Sequence, residues 1–237
     1  MKNFVLLLSA ILMFPAVLSA QVLLIPESTL DTVGMYDPYD GIYLGDLISG
    51  YAGFNTPVNA AQGPDGNIYV SDQVADSIFV FDTSGTYLYT YADATDGLNN
   101  IRGIDFRSGN VYVTSGDAYV ATFTGPHTRG TDFINDGSDP FDIYFLSDGR
   151  ALLADIAGST DNIRIYNADG SFANQIFSIS FPEQIQSFGT GTYITAGFSA
   201  NALAIFDLTT MISQVSFSSG RGVHALGNGN VIATNNL

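Results

Sequence analysis

A unit of about forty residues recurs along this chain, and no single copy is long enough to bury a core of its own. Residues 58–91 read VNAAQ, GPDG, NIYVSD, SIFVFD, TSG and TYLYTY, with a short polar link after the third. Residues 141–179 read FDIYFL, SDG, RALLADI, NIRIYN, ADG and SFANQIFSI in the same order. Each copy is an apolar strand, an Asp-Gly turn, a strand closing on Asp72 or Asp155, a third strand, a glycine turn and a fourth strand. Looser copies open at Ile101, Ile185 and Val223. The first-turn glycines Gly66, Gly109, Gly149, Gly191 and Gly229 lie 43, 40, 42 and 38 residues apart. Asp65-Gly66, Asp148-Gly149 and Asn228-Gly229 are two-residue hairpin signals. Phe79 and Phe81 share one face of their strand and Val80 takes the other, so both faces need cover. These observations predict an all-β chain folded as a β-propeller, in which small four-stranded sheets stack around one axis.

The chain has 237 residues, and the first twenty read as an export leader. Lys2 precedes an almost wholly apolar run from Phe4 to Leu18, and Ser19 and Ala20 follow. The run is short for a membrane span; an uncleaved anchor is the alternative. The expected organisation is a signal peptide over 1–20 and a propeller over 22–237, with units starting near 22, 58, 101, 141, 185 and 223. No second long apolar run follows, so no transmembrane span is expected in the mature chain, and a secreted or extracytoplasmic location is. Cysteine is absent, so disulfides do not hold the fold. Seven basic against 23 acidic residues give a net charge of −16, which repels phosphate backbones and disfavours nucleic acid as a partner. All the acids but Glu27 and Glu183 are Asp, a residue of turns and strand ends.

The chain opens out of phase, with a second, third and fourth strand over 22–48 and no first. It closes on a first and a second strand. Five to six blades follow. A five-bladed ring would join Val223–Leu226 to the N-terminal strands and leave the last strand over. A six-bladed ring, the count preferred at this point, lacks half a blade, and the sequence then reads as a piece of a longer chain.

The stretch GPDGNIYVSDQVADSIFVFDTSGTYLYTY, residues 63–91, resembles an NHL repeat: a Pro-Asp-Gly turn, a strand ending in Asp, a polar loop, an I-x-V-F-D strand and a glycine turn. SDGRALLADIAGSTDNIRIYNADGSF, residues 147–172, is similar over less of that pattern. The unit at 101–140 departs from it, with Thr124–Gly130 as a longer loop in place of the short turn. YVTN-type surface propellers and gluconolactonase-like six-bladed proteins carry similar repeats. The resemblance implies a propeller of this superfamily and leaves function to the site. It also implies that Asp72 and Asp155 are structural, tying strand ends to amides of the next loop; a rim of carboxylates holding a cation is the alternative.

No catalytic constellation is evident. Two histidines, His127 and His224, rule out a three-His zinc site by count, and there is no G-x-S-x-G. No cofactor is expected. Calcium is the one metal weighed: Asp136, Asp139 and Asp142, beside Asn135 and Ser138, offer oxygens but lack calcium-loop spacing. A plain turn through Asp136-Gly137 is preferred. For binding, Tyr87 and Tyr89, with Tyr91, fall on one face of an outer strand, and Tyr39 and Tyr43 lie in the matching hairpin. His127 and Arg129, in the long loop, complete the candidate binding set. Exposed flat rings stack on sugars or anchor peptides; blade packing and edge protection is the competing account.

The expected function is a non-catalytic binding or scaffold propeller. It would meet a protein or glycan through rim loops at Asp93–Asn100, Thr124–Thr131, Gly137–Pro140 and Ala157–Asp161. The alternatives are a metal-assisted hydrolase or lactonase, with Glu183 as the residue to test, and a component of a surface array.

Overall fold

The computed structural model describes residues 21–158 and 161–236. The expected leader lies outside the described residues, as do Ser159 and Thr160 of one expected rim loop. Among the described residues, twenty-one strands form six antiparallel sheets. Sheet 1 holds β1 (Leu23–Glu27), β2 (Thr32–Tyr36) and β3 (Tyr43–Ile48). Sheet 2 holds β4 (Pro57–Gln62), β5 (Ile68–Asp72), β6 (Ser77–Phe81) and β7 (Tyr87–Ala92). Sheet 3 holds β8 (Ile101–Arg107), β9 (Asn110–Ser115), β10 (Tyr119–Gly125) and β11 (Thr128–Arg129). Sheet 4 holds β12 (Pro140–Phe145), β13 (Ala151–Asp155), β14 (Asn162–Tyr166) and β15 (Phe172–Ser178). Sheet 5 holds β16 (Pro182–Ser187), β17 (Tyr193–Gly197), β18 (Ala202–Phe206) and β19 (Met211–Ser216). Sheet 6 is the hairpin of β20 (Gly220–Ala225) and β21 (Val231–Asn235).

The all-β propeller is present. The preferred six-bladed count is not: only four of the sheets have four strands, and the termini supply three and two. The five-bladed alternative differs too, because β20 pairs with β21 and not with the N-terminal strands. The terminal sheets meet instead at their turns, where Gly227 N–H donates to Pro38 O at 2.9 Å and Asn228 N–H to Tyr39 O at 3.0 Å.

Strand alternation sends each face of a sheet to a different neighbour. In the fully buried β6, Phe79 and Phe81 join Val33, Ile48 and Phe54 on the sheet 1 side. Val80 and Ile78 join Ile101, Ile104 and Val113 on the sheet 3 side. Tyr112 and Val120 pack on Ile143 and Leu153 between sheets 3 and 4. Leu152 and Ile163 pack on Ile185 and Phe206 between sheets 4 and 5, and Ile194 and Leu203 on Val223 between sheets 5 and 6. The core is thus five apolar layers, one per interface.

Buried aspartates close the second strands of sheets 2 and 4. Asp72 is fully buried and accepts the N–H groups of Asn55, Thr56 and Ala75 at 2.7 to 2.9 Å. Asp155 accepts Asp139 N–H at 2.8 Å and lies 2.6 Å from Arg164 Nη2. These carboxylates hold chiefly the segment that leads into their own sheet, rather than the following loop alone.

Candidate functional site

The first strands of sheets 2 to 6 each carry one extra residue at the same point. The register jumps between Pro57 and Asn59, Ile101 and Ile104, Pro140 and Asp142, Pro182 and Ile185, and Gly220 and Val223. A bulge takes a residue out of the ladder and re-aims its side chain. Here it delivers Val58, Arg102, Phe141, Glu183 and Arg221 to one central cavity of about 670 Å³. Its outer wall is β1 and β21, through Leu23, Ile25 and Ile232.

The next residue of the bulge fastens the ring. Asp142 Oδ2 accepts Ile185 N–H, and Gln184 Oε1 accepts Val223 N–H, both at 2.8 Å. Asp105, two positions on in sheet 3, does the same for Phe145 N–H at 2.8 Å. Where the side chain is short, as at Gly103, the neighbour fills the space: a Cβ there would overlap Asp142 Oδ1.

Six charged groups line the cavity: Arg102, Asp142, Glu183 and Arg221 from the bulged strands, and Glu27 and Asp46 from sheet 1. Arg102 is buried; its Nη1 lies 2.8 Å from Asp139 Oδ1 and 3.0 Å from Pro140 O, and its guanidinium sits 5.3 Å from the Phe141 ring centre. Arg221 Nη1 donates to the buried Glu183 Oε1 at 2.5 Å, and its guanidinium stacks 4.2 Å from Phe198. Burial pushes the Glu183 carboxyl up to about 8, against the lowering pull of Arg221 and Arg102. Burial also pushes Asp142 up to about 8, against the Ile185 hydrogen bond, and Asp105 up to about 6. His224, also lining the cavity, is lowered by burial, which favours the neutral ring. Buried carboxyls of raised pKa beside a cavity, here Asp142 and Glu183, make this the candidate site.

The residues proposed from sequence fall elsewhere. Tyr39 is 63 % exposed on the β2–β3 turn. The three tyrosines of β7 do not share a face. A register shift between Val80 and Phe81 turns Tyr87 toward Tyr51, which it stacks at 4.9 Å, while Tyr89 and Tyr91 pack into the layer shared with sheet 3. His127 Nδ1 lies 2.7 Å from Asp96 Oδ2, and that carboxylate raises its pKa. Arg129 donates to Asp96 O, Gly97 O and Asp132 Oδ1 at 2.8 to 2.9 Å and covers the Tyr119 ring. Both residues therefore strap the β10–β11 hairpin to the 3-10 turn at Ala94–Asp96. The calcium candidates point to separate partners: Asp136 to Tyr166 OH and Ser138 N–H, Asp139 to Arg102, Asp142 to Ile185. Among the described residues, the metal-capable group is Asp93, Asp96 and His127, with ligand atoms within 4.8 Å of one another.

Sequence reasoning singled out Glu183 but missed Arg102, Phe141 and Arg221. One signal was available: Pro57, Pro140 and Pro182 hold the same place in their units, and proline in a strand favours its first residue or a bulge.

No family model matches the chain, and no curated protein matches it in sequence. Solved structures do match. A structure of a nidogen/laminin complex aligns with a TM-score of 0.69 at 18 % identity, covering 84 % of this chain and 76 % of that one. A protein of unknown function from Bacteroides caccae aligns at 0.69 and 15 %, covering 92 % and 83 %. The WD40 β-propeller domain of Doa1 aligns at 0.61 and 14 %, covering 87 % and 70 %. The fold and its ring of inner strands define a β-propeller. At these identities the likeness establishes the architecture alone.

Proposed function

We propose that this chain is a non-catalytic, secreted binding propeller whose ligand is a protein or a glycan. The observation that carries the reading is a set of apolar and aromatic side chains left exposed on the outer strands β3 and β7 and on the β2–β3 turn. Tyr39, Ile42 and Leu44 stand out from sheet 1, and Tyr87 and Leu88 from sheet 2. Tyr51, in the link between the two sheets, stacks on Tyr87 and bridges them. Clustered exposed rings of this kind are recognition surfaces more often than accidents of packing. The polar rim groups His127 and Arg129 are engaged within the chain, so the outer edge, rather than those loops, meets the ligand. Inside the cavity, Glu183 is held by Arg221 and Arg102 by Asp139, which favours binding over hydrolysis.

The secreted reading rests on residues 1–20, and the NHL-like or YVTN-like character on residues 63–91 and 147–172. Among the described residues no helix is long and apolar enough to cross a membrane. One structural neighbour comes from a complex of two proteins, nidogen and laminin, which accords with a binding role. The test is capture from native medium on immobilised protein, run beside a glycan array. The expected outcome is one retained protein or glycan, lost with Tyr39→Ser, Leu44→Ser and Tyr87→Ser combined. Specific retention by neither, or retention unchanged in the variant, overturns the reading.

A further inference from the structure

We propose that the central cavity binds a small organic carboxylate with an apolar body, its carboxylate on the open fork of Arg221, beside the charge of Arg102, and its body against β1 and β21. Three observations carry this. First, the cavity measures about 670 Å³, within the range of small-molecule sites. Its lining is mixed in chemistry: guanidinium groups come from the bulges, and Leu23, Ile25 and Ile232 from β1 and β21.

Second, the chain has six arginines, and two of them are delivered to this one space by bulges at the same point of sheets 3 and 6. In a molecule of net charge −16, that concentration needs a cause. Arg221 donates to Glu183 through Nη1 alone among the described residues, and its side chain, which lines the cavity, is 39 % exposed. The Nη2–Nε edge of its planar fork stays open, and that edge matches a carboxylate with two parallel hydrogen bonds. Arg102 is buried, with its Nη1 engaged by Asp139 and Pro140 and its Nε sealed in without an acceptor, so it contributes positive charge to the wall rather than an open fork.

Third, the two lining acids that neighbour these charges on the bulged strands, Asp142 and Glu183, are held back by burial, while Glu27 and Asp46 line the cavity from β1 and β3. Asp139 answers Arg102. Asp142 and Glu183 are both raised by burial to about 8, Asp105 to about 6, and His224 is favoured neutral. Below that range the wall keeps its guanidinium charge while two of its carboxyls hold their protons; above it they ionise and oppose an anion. A phosphate dianion would carry a second charge toward those same acids, with one open fork to receive it. A monoanionic carboxylate fits the single fork.

None of Tyr39, Leu44 and Tyr87 lines the cavity, so the two readings can fail separately. Calorimetric titration of the whole chain with octanoate, octan-1-ol and inorganic phosphate tests it. The expected result is saturable octanoate binding with little response to the other two. Affinity falls about tenfold with Arg221→Gln, in keeping with the loss of a bidentate charge-assisted pair. It also falls as pH rises from about 6 to about 9, as the buried acids ionise. Arg221→Lys, which keeps the charge but not the fork, weakens binding as well, and serves where the Gln variant does not fold. The Tyr39, Leu44 and Tyr87 triple variant binds octanoate as the parent does. Absence of octanoate binding, equal binding of octan-1-ol, or affinity indifferent to pH and to Arg221 overturns the proposal.

Discussion

Asp142 shows how one side chain can serve both the ring and its pH behaviour. It accepts Ile185 N–H and so ties sheet 4 to sheet 5, from a buried position on the cavity wall. Its carboxyl sits near 8 in the folded chain, against the usual 3.8, so the folded state keeps a proton that the unfolded chain releases. A pKa raised by folding stabilises the protein fully below the unfolded value, and the contribution is lost as pH climbs through the folded one. Glu183 and Asp105 act in the same direction. The melting temperature should therefore be higher at about pH 5 than at about pH 8. Asp142→Asn, which can still accept from Ile185, should flatten that slope. A scanning calorimetry series over this window checks it; a variant with the parent's slope would remove Asp142 from the account.

At the scale of the element, turns and bulges do the positioning. Gly170 adopts φ +84, and a Cβ there would overlap the carbonyl oxygen of Phe133 in the segment before sheet 4. Gly66 adopts the same φ with nothing near it. Alanine at Gly66 should cost about 1 kcal/mol, the backbone penalty alone. Alanine at Gly170 should cost about 3 kcal/mol, since the neighbouring segment must also move. Urea unfolding of the two variants measures the difference. The Asp-Gly turns and the alternation in β6 were legible in the sequence because turn geometry and face burial act on residues side by side. The bulges were not, because one extra residue leaves no mark beyond a proline such as Pro140. For the same reason Tyr87 was assigned to the face of Tyr89 and Tyr91: the register shift in β7 depends on its partner strand. Glu183 could be singled out as a rare glutamate. Its partner Arg221 stands 38 residues on, close to one unit length, and becomes visible only once the units are superposed.

For the whole molecule, stability is shared unequally. Five interfaces between sheets have an apolar layer, whereas the terminal sheets are joined by hydrogen bonds at Pro38 and Tyr39. The blade count escaped the sequence because it depends on which strands the two ends choose as partners, a choice made across the full length of the chain. Regions with few buried apolar contacts open first. In hydrogen-exchange mass spectrometry, sheets 1 and 6 should exchange before β5, β6 and β13, whose residues are buried throughout. Uniform exchange around the ring would show that the seam is no weaker than the layers. The repeated bulge has a further consequence, for how such a molecule changes over generations. Val58, Arg102, Phe141, Glu183 and Arg221 answer to no pairing rule of the sheets that carry them. A library randomised at those five positions, with 183 and 221 varied jointly, would sample new selectivities on an unaltered scaffold, so the same ring can be retuned without being rebuilt.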